Sequence, residues 1–416
     1  MAKTKLKKEM IFGVIGLGKL GLCLTSILGR IKPTVGMDIN ANLISELKLK
    51  KQPYDEKKLD EYLKTSSIFY TNKYEDLDVC DIIFCVVPTP SKSNGRFNNS
   101  YIINAIKKSK KNIKKCKLFV IVSTVMPGST RKIKKFLPAH TKLCYNPEFI
   151  ALGNTIENME KPDVVLIGEE DSTSGELLEE IYKLIITNGA PIKRMSWESA
   201  EIAKISLNSY VTMKISFSNI LGEICENFPY ANVDDVTDIL GEDSRIGKKF
   251  IKSAVPFGGP CFPRDNRAFS KIFHCGASFE KSFKKSRKML KYSEITDEIN
   301  QHQFDRIVDK CKNILQGNLK NKTISILGMG YKPGSELRFE SPGEILKERL
   351  EKEGANVLED SIYKSELLII MMPGAFANSF EDLLEMRHIR VLDCWRDRPD
   401  LNQDGIAYYT LGQWGR

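Results

Sequence analysis

Apolar runs of strand length recur through the first half of this chain at residues 11–15, 34–36, 82–87, 118–122, 143–145 and 164–167, each set apart from the next by a polar, amphipathic stretch. Strands spaced this way cannot close as hairpins. They need helical crossovers, and these give a parallel sheet covered on both faces. The pattern predicts an α/β, doubly wound, Rossmann-like domain over residues 1–195.

The apolar period then changes. Ile202, Ile205, Leu207, Val211, Ile215, Ile220, Leu221 and Ile224 fall at near-helical spacing, and no proline intervenes until Pro229, so one long helix is expected. Further helical stretches carry a central helical domain over residues 196–300. A second βα unit opens at Thr323-Ile324-Ser325-Ile326-Leu327-Gly328-Met329-Gly330, with strand-like runs at 367–372 and 390–393. Residues 301–416 are therefore expected to form a second, smaller Rossmann-like domain, a distant echo of the first. A chain of 416 residues is long for one core and has room for this division.

Composition narrows the function classes. No apolar run approaches the roughly 20 residues of a membrane helix. Lys3, Lys5, Lys7 and Lys8 lead straight into a strand rather than a signal segment, so the chain is read as cytoplasmic, with no membrane partner. The ten cysteines contain no Cys-x-x-Cys pair, and the four histidines lie far apart, so neither a disulfide framework nor a metal site is expected. The net charge of +10 is mostly lysine, spread over helices and across residues 281–291. With no nucleic-acid motif beside it, that surplus reads as a solvated basic surface, and no nucleic-acid partner is expected. The same field would favour an anionic cofactor and substrate.

The first strand runs into Gly16-Leu17-Gly18-Lys19-Leu20-Gly21. In such a fingerprint Gly16 permits the tight turn, Gly18 lets a pyrophosphate approach the backbone, and Gly21 lets helix and strand pack closely. The helix beginning near Lys19 and Leu20 offers unpaired N–H groups to the phosphates. Asp38 ends the second strand, 22 residues beyond Gly16. A carboxylate there accepts ribose hydroxyls and repels a 2′-phosphate, so NAD is the expected cofactor; a simple cap of the next helix is the alternative. Val87-Pro88-Thr89-Pro90 and Ser123-Thr124-Val125-Met126-Pro127-Gly128 would rim the same crevice, with Pro88, Thr89 and Thr124 as cofactor candidates.

Gly258-Gly259-Pro260-Cys261-Phe262-Pro263-Arg264-Asp265 sets one cysteine among helix breakers and a charged pair. Such a loop presents sulfur rather than burying it, although a structural cysteine is the commoner fate. A thiol is the nucleophile needed when an alcohol is taken to an acid at one site. Oxidation gives an aldehyde, sulfur addition a thiohemiacetal, a second oxidation a thioester, and water opens it. Lys204 and Asn208 lie four apart on the long helix and could stabilise a developing alkoxide; on spacing alone, a solvated helix face explains them better. Glu148, in Asn146-Pro147-Glu148-Phe149 after a strand, could accept a proton from the hydrolytic water, and Asp265 could orient it. Residue chemistry alone leaves these two open.

Taken together, these motifs resemble the UDP-glucose/GDP-mannose dehydrogenase family over nearly the whole chain. Gly258, Gly259, Cys261 and Asp265 match its thiol loop; Ala200, Glu201, Lys204 and Asn208 match its helix motif. Ser123-Thr124-Val125, Pro127-Gly128 and Pro147-Glu148-Phe149 match two further signatures. The resemblance implies NAD-dependent, four-electron oxidation of a nucleotide-sugar C6 alcohol, with Cys261 carrying the acyl group, Lys204 and Asn208 polarising the C6 oxygen, Thr124 holding a water, and Glu148 and Asp265 assisting hydrolysis. Around Arg245-Ile246-Gly247-Lys248-Lys249-Phe250-Ile251-Lys252 the likeness is nearest to the branch that oxidises UDP-glucose to UDP-glucuronate. It implies substrate contacts for Glu148, Phe149, Lys204, Asn208, Arg245, Phe250, Lys252, Phe257, Gly258, Gly259, Tyr331 and Lys332, with Arg245 reaching a neighbouring subunit of a homodimer built on the long helix. Two positions depart from the pattern: Leu152 replaces a second glutamate, and Phe339 stands where an arginine precedes Glu340-Ser341-Pro342, with Arg338 one place off. GDP-mannose or UDP-N-acetylmannosamine as substrate, a 3-hydroxyacid dehydrogenase, and a catalytically silent nucleotide-sugar sensor are the alternative readings.

Overall fold

Eight strands form the first of two sheets: β1 (Phe12–Ile15), β2 (Thr34–Met37), β3 (Ile68–Thr71), β4 (Ile82–Cys85), β5 (Leu118–Ile121), β6 (Lys142–Tyr145), β7 (Val165–Glu169) and β8 (Ile192–Ser196). The structure, a computed structural model, describes residues 9–150, 153–272, 287–335, 337–362, 365–376, 390–403 and 405–415. The amino-terminal lysines, Leu152, Cys275, His274, His388 and most of the 281–291 lysine stretch lie outside them. The chain makes two compact units, one built on the described residues up to Ser206 together with residues 271–272, and one on Leu207–Ser270 with the described residues from 287 onward.

In the first unit the strand order is β3-β2-β1-β4-β5-β6-β7-β8. Every neighbouring pair is parallel except β6 and β7, which run antiparallel. A fully parallel sheet was the expectation. The reason for the exception is the connection: between Tyr145 and Val165 the described chain holds one six-residue helix, Thr155–Glu160, too short to return across the sheet. Strands β3 and β8 are absent from the apolar pattern because they lie at the two edges, where Phe69 and Lys193 are exposed. Strands β1, β2, β4 and β5 are buried throughout and β6 is buried beyond Lys142, with Phe12, Phe84, Phe119 and Tyr145 shut inside two apolar layers, one on each face.

The chain leaves β1 for β2 and β3 on one side, then returns to lay β4 on β1's other side. That reversal opens a crevice at the carboxyl ends of β1 and β4. The loops beginning at Gly16 and Val86 flank it.

Helix Trp197–Glu226 runs 30 residues, about 45 Å at the α-helical rise. Its inward face is unusually polar: Glu201, Lys204, Asn208, Ser209, Thr212, Ser216 and Asn219 are all buried. Each must find a partner inside the protein.

The second unit holds the rest of that helix, a second long helix, Arg287–Ile314, that carries the chain across residue 300, and five strands: β9 (Thr323–Leu327), β10 (Asn356–Glu359), β11 (Leu367–Ile370), β12 (Arg390–Asp393) and β13 (Ala407–Thr410). They are all parallel, in the order β10-β9-β11-β12-β13. Here too the chain reverses, between β9 and β11, so the loop from Gly328 to Gly334 leaves the sheet at the equivalent point. Arg396, with its side chain 4% exposed, ties helix Val233–Glu242 to this sheet: it donates to Asp234 at 2.7 and 2.9 Å, to the Ser253 carbonyl at 2.6 Å and to the Leu411 carbonyl at 2.7 Å. Among the described residues, no helix is long and apolar enough to cross a membrane, and no His, Cys, Asp or Glu cluster could hold a metal.

The three fingerprint glycines answer different demands. A Cβ on Gly21 would sit 1.9 Å from the Gly16 carbonyl oxygen, whereas one on Gly18 would meet nothing within 4 Å. Gly21→Ala is expected to lower unfolding stability by about 3 kcal/mol, and Gly18→Ala by about 1 kcal/mol, in denaturant titrations.

Candidate active site

Where β1 ends, Gly16 takes φ +95°, and a Cβ there would meet the Val86 carbonyl oxygen at 2.5 Å. Helix Lys19–Ile31 follows with Gly18 as its cap and no side chain bonded to its first turn, so the Lys19 and Leu20 amides keep their donors for a ligand. Asp38 accepts the Leu17 N–H at 2.7 Å through one oxygen and the Asn40 N–H at 2.9 Å through the other. It is not the cap of the next helix. Asn40 is, accepting from the Asn42 and Leu43 amides. An open backbone at Gly18, an uncapped helix start and a carboxylate with lone pairs to spare fit a dinucleotide's pyrophosphate and ribose.

Across the crevice, the loops after β4 and β5 are stitched together. The Thr89 hydroxyl, buried, donates to the Thr124 carbonyl at 2.7 Å, and the Ser123 hydroxyl to the Val87 carbonyl at 2.6 Å. The far end of the second loop is held by Glu201, whose carboxylate accepts the Gly128 N–H at 2.5 Å and the Thr130 N–H at 2.7 Å. Burial pushes Glu201 above the usual carboxylate range, and the two amides pull the other way. Sequence reading gave Glu201 no task beyond matching a motif. Its place three residues before Lys204, on the same helix face, was the available signal.

Lys204 is 7% exposed, so the solvated-face alternative does not describe it. Its Nζ donates to the Glu148 main-chain carbonyl at 2.9 Å and lies 4.8 Å from the Phe149 ring centre. The Glu148 carboxyl contacts the Tyr182 hydroxyl at 2.8 Å, which in turn lies 2.5 Å from Asn146 Oδ1. Burial raises both Glu148 and Tyr182 above their ordinary ranges.

In the second unit, Cys261 stands at the start of helix Phe262–Phe269 and is exposed; the other described cysteines are buried. Burial pushes Cys85, Cys116, Cys144 and Cys311 each to about 12. Thiolate chemistry is thereby withheld from them. The Asp265 N–H donates to the Cys261 carbonyl at 2.8 Å, and the Asp265 carboxylate accepts from Asn208 Nδ2 at 2.7 Å, with both side chains buried. Asn266 accepts from Thr212 at 3.1 Å and donates to the Ser293 carbonyl at 2.9 Å. The helix behind Cys261 is thus pinned to both long helices.

Gly258 and Gly259 are held close to the C-terminal loops. A Cβ on Gly258 would meet the Glu340 carbonyl at 2.5 Å, and one on Gly259, at φ +83°, would meet the Tyr331 ring at 2.5 Å. The Gly259 N–H donates to the Glu340 carbonyl at 2.7 Å. These glycines therefore bring Tyr331 and the neighbouring Lys332 beside the thiol loop. Phe250 is half exposed and meets Phe262 edge to face, with ring centres 6.1 Å apart. Phe257 points inward, 4% exposed, with its backbone paired to Asn300. Arg245 is exposed and bonded to Asp243, and Lys252 lies 3.9 Å from Asp234. Arg338 pairs with Glu344 and Glu359, while Phe339 is exposed.

Residues 10–186 match the model of the NAD binding domain of the UDP-glucose/GDP-mannose dehydrogenase family, and residues 198–289 match its central domain. The chain belongs to this family. It is an NAD-dependent nucleotide-sugar dehydrogenase. Its relatives include a UDP-glucose 6-dehydrogenase of Rickettsia felis, 34% identical over 352 residues, spanning 82% of this chain and 75% of that protein. Another from Bacillus subtilis is 32% identical over 349 residues, spanning 81% and 76%. Among solved structures, a UDP-glucose dehydrogenase from Pyrobaculum islandicum is similar with a TM-score of 0.82 at 23% identity, covering 98% of each chain. A UDP-D-ManNAc dehydrogenase from Pyrococcus horikoshii gives 0.83 at 19% identity, covering 97% and 99%.

The Asn208 to Asp265 bond gives the dehydrogenase a pH-dependent test. Asn208→Asp places two carboxylates in hydrogen-bond reach inside the protein, which raises the pKa of one in the folded state. The variant's stability deficit against wild type is expected to grow as pH rises above about 4, reaching about 3 kcal/mol at neutral pH in urea titrations.

Proposed function

We propose that this dehydrogenase oxidises the C6 alcohol of UDP-glucose to the carboxylate of UDP-glucuronate, reducing two NAD per sugar and holding the half-oxidised sugar on Cys261. The carrying observation is the exposure of that sulfur on a glycine- and proline-bounded loop, while the other described cysteines are buried. The names of the curated relatives support UDP-glucose.

When bound, NAD accepts the hydride that leaves C6 in each oxidation. Gly16, Gly18, Lys19, Leu20, Gly21 and Asp38 would hold it, with Pro88, Thr89 and Thr124 on the opposite rim. Lys204 and Asn208 donate toward the C6 oxygen and stabilise its negative charge, with a water near Thr124 assisting. Cys261 Sγ then bonds to the aldehyde carbon as the carbonyl π bond opens, and the proton the thiol gives up ends on the oxygen, giving the thiohemiacetal. After the second oxidation the product is a thioester. Water adds to its carbonyl carbon and passes a proton to Glu148, with Asp265 orienting it; the C–S bond breaks and the thiolate leaves. The basic surplus suits a doubly anionic UDP group, which Arg245, Phe250, Lys252, Phe257, Gly258, Gly259, Tyr331 and Lys332 would cradle beside Phe149. We further assign the chain to the cytoplasm, to a homodimer through the long helix, and to a three-part division into NAD-binding (1–195), helical (196–300) and UDP-sugar-binding (301–416) regions.

Cys261→Ser is expected to abolish steady-state turnover of UDP-glucose to UDP-glucuronate, leaving at most one NADH per site from the first oxidation; near-normal NADH production would refute the covalent route. Lys204→Ala is expected to lower kcat by about 100- to 1,000-fold. A panel of UDP-glucose, GDP-mannose and UDP-N-acetylmannosamine, read by NADH absorbance, is expected to show two NADH per molecule of UDP-glucose. One NADH per substrate would favour simple hydroxyacid chemistry, and tight binding without absorbance change would favour a sensor.

A further inference from the structure

Three side-chain oxygens meet in the residues beyond β6: the Tyr182 hydroxyl lies 2.5 Å from Asn146 Oδ1 and 2.8 Å from Glu148 Oε1. The far end of the amide settles how the hydrogens are shared. Asn146 faces the Leu166 carbonyl oxygen at 3.0 Å, and a carbonyl can only accept, so the atom turned toward it must be the NH₂. Asn146 therefore offers Tyr182 an oxygen with no hydrogen. Tyr182 has one proton to give.

Given to Asn146, that proton leaves the phenol's lone pairs facing Glu148, and the 2.8 Å contact is a hydrogen bond only if Glu148 carries a proton of its own. Given to Glu148 instead, it leaves two oxygens 2.5 Å apart with nothing between them. Tyr182 is 2% and Asn146 1% exposed, so such a contact would be buried, repulsive and unrelieved by water. Two short oxygen contacts need two protons, and Glu148 is the remaining source.

We propose that Asn146 and Tyr182 are positioning residues that hold Glu148 in its neutral, protonated form, so that this carboxyl must shed a proton before it can take one from water. The inference rests on the reading that Glu148 serves thioester hydrolysis. Two titratable groups face Glu148 from the elements packed on it. Tyr182 comes from helix Ser172–Ile185, and Lys204 from the long helix. Lys204 favours the carboxylate, but its ammonium donates to the Glu148 main-chain carbonyl rather than to the carboxyl, and burial outweighs it. With the carboxyl raised above its ordinary range, the neutral acid persists as pH climbs past the usual carboxylate range. Hydrolysis then falls as pH drops through that raised value.

The direct test needs no substrate. Infrared difference spectra of wild type minus Glu148→Gln at neutral pH are expected to show the carbonyl stretch of a protonated carboxylic acid, shifted in D₂O. Absence of that band overturns the proposal. In pH profiles of thioester hydrolysis, Tyr182→Phe removes the acceptor of the Glu148 proton, and Asn146→Ala frees the Tyr182 proton for the carboxylate. Each is expected to move the acidic limb about one unit to lower pH. A limb that stays or rises in both variants overturns the role given to Tyr182 and Asn146, even with the band present. Should Tyr182→Phe fail to fold, the wild-type band and Asn146→Ala decide. Should no nucleotide sugar be oxidised, the catalytic reading fails while the band still decides the protonation state.

Discussion

A strand in a parallel sheet cannot turn back beside its neighbour; it must be returned by a crossover, and every crossover starts from the same edge of the sheet. The rest of this enzyme follows from that constraint. In the first sheet it places the Gly16 loop, the Val87 to Pro90 loop and the Ser123 to Gly128 loop along one rim. The same rule in the second sheet places the Tyr331-Lys332 loop at the reversal between β9 and β11. Even the detail repeats: the Leu17 N–H donates to Asp38 beyond β2, and the Gly328 N–H donates to Asp360 beyond β10 at 2.9 Å. Both sheets use an acid at the end of the neighbouring strand to hold a glycine turn.

Positions within these loops are set by polar bonds as well as by apolar packing, Val125 being part of the core. Glu201 grips two amides, Asn208 grips Asp265, and Thr89 grips the Thr124 carbonyl. The Thr130 to Glu201 and Asn208 to Asp265 bonds are buried, so loss of one partner there strands the other away from water. Such bonds trade stability for definition. They make the loops hold one shape.

Much of this was legible in the residues. Buried strands such as Ile82–Cys85 announce themselves as continuous apolar runs, and the fingerprint glycines carry their own geometry. Less legible were the edge strands Ile68–Thr71 and Ile192–Ser196, whose exposed residues dilute the apolar signal, and the antiparallel step at β7, which depends on how little helix the preceding connection contains. At the candidate site, the exposure of Cys261 could be anticipated from glycine and proline alone. The task of Glu201 had only its place three residues before Lys204 to show it, and that of Tyr182 had nothing. Tyr182 reads as an ordinary core aromatic on helix Ser172–Ile185, and only its hydroxyl, 34 residues from Glu148 in sequence, reveals otherwise.

Lys204 and Asn208 share one uninterrupted rod, from Trp197 to Glu226, and their separation is a single helical turn. Between them Ile205 is buried and Leu207 is exposed, so the intervening side chains answer to different surroundings while the interval itself does not vary. Adding or deleting one residue there would rotate one partner by about 100° relative to the other, which is more damaging than replacing any residue between them. The spacing of that rod behaves like a ruler: a change of length between its two marks displaces everything beyond it, whereas a change of side chain disturbs only that residue's own contacts.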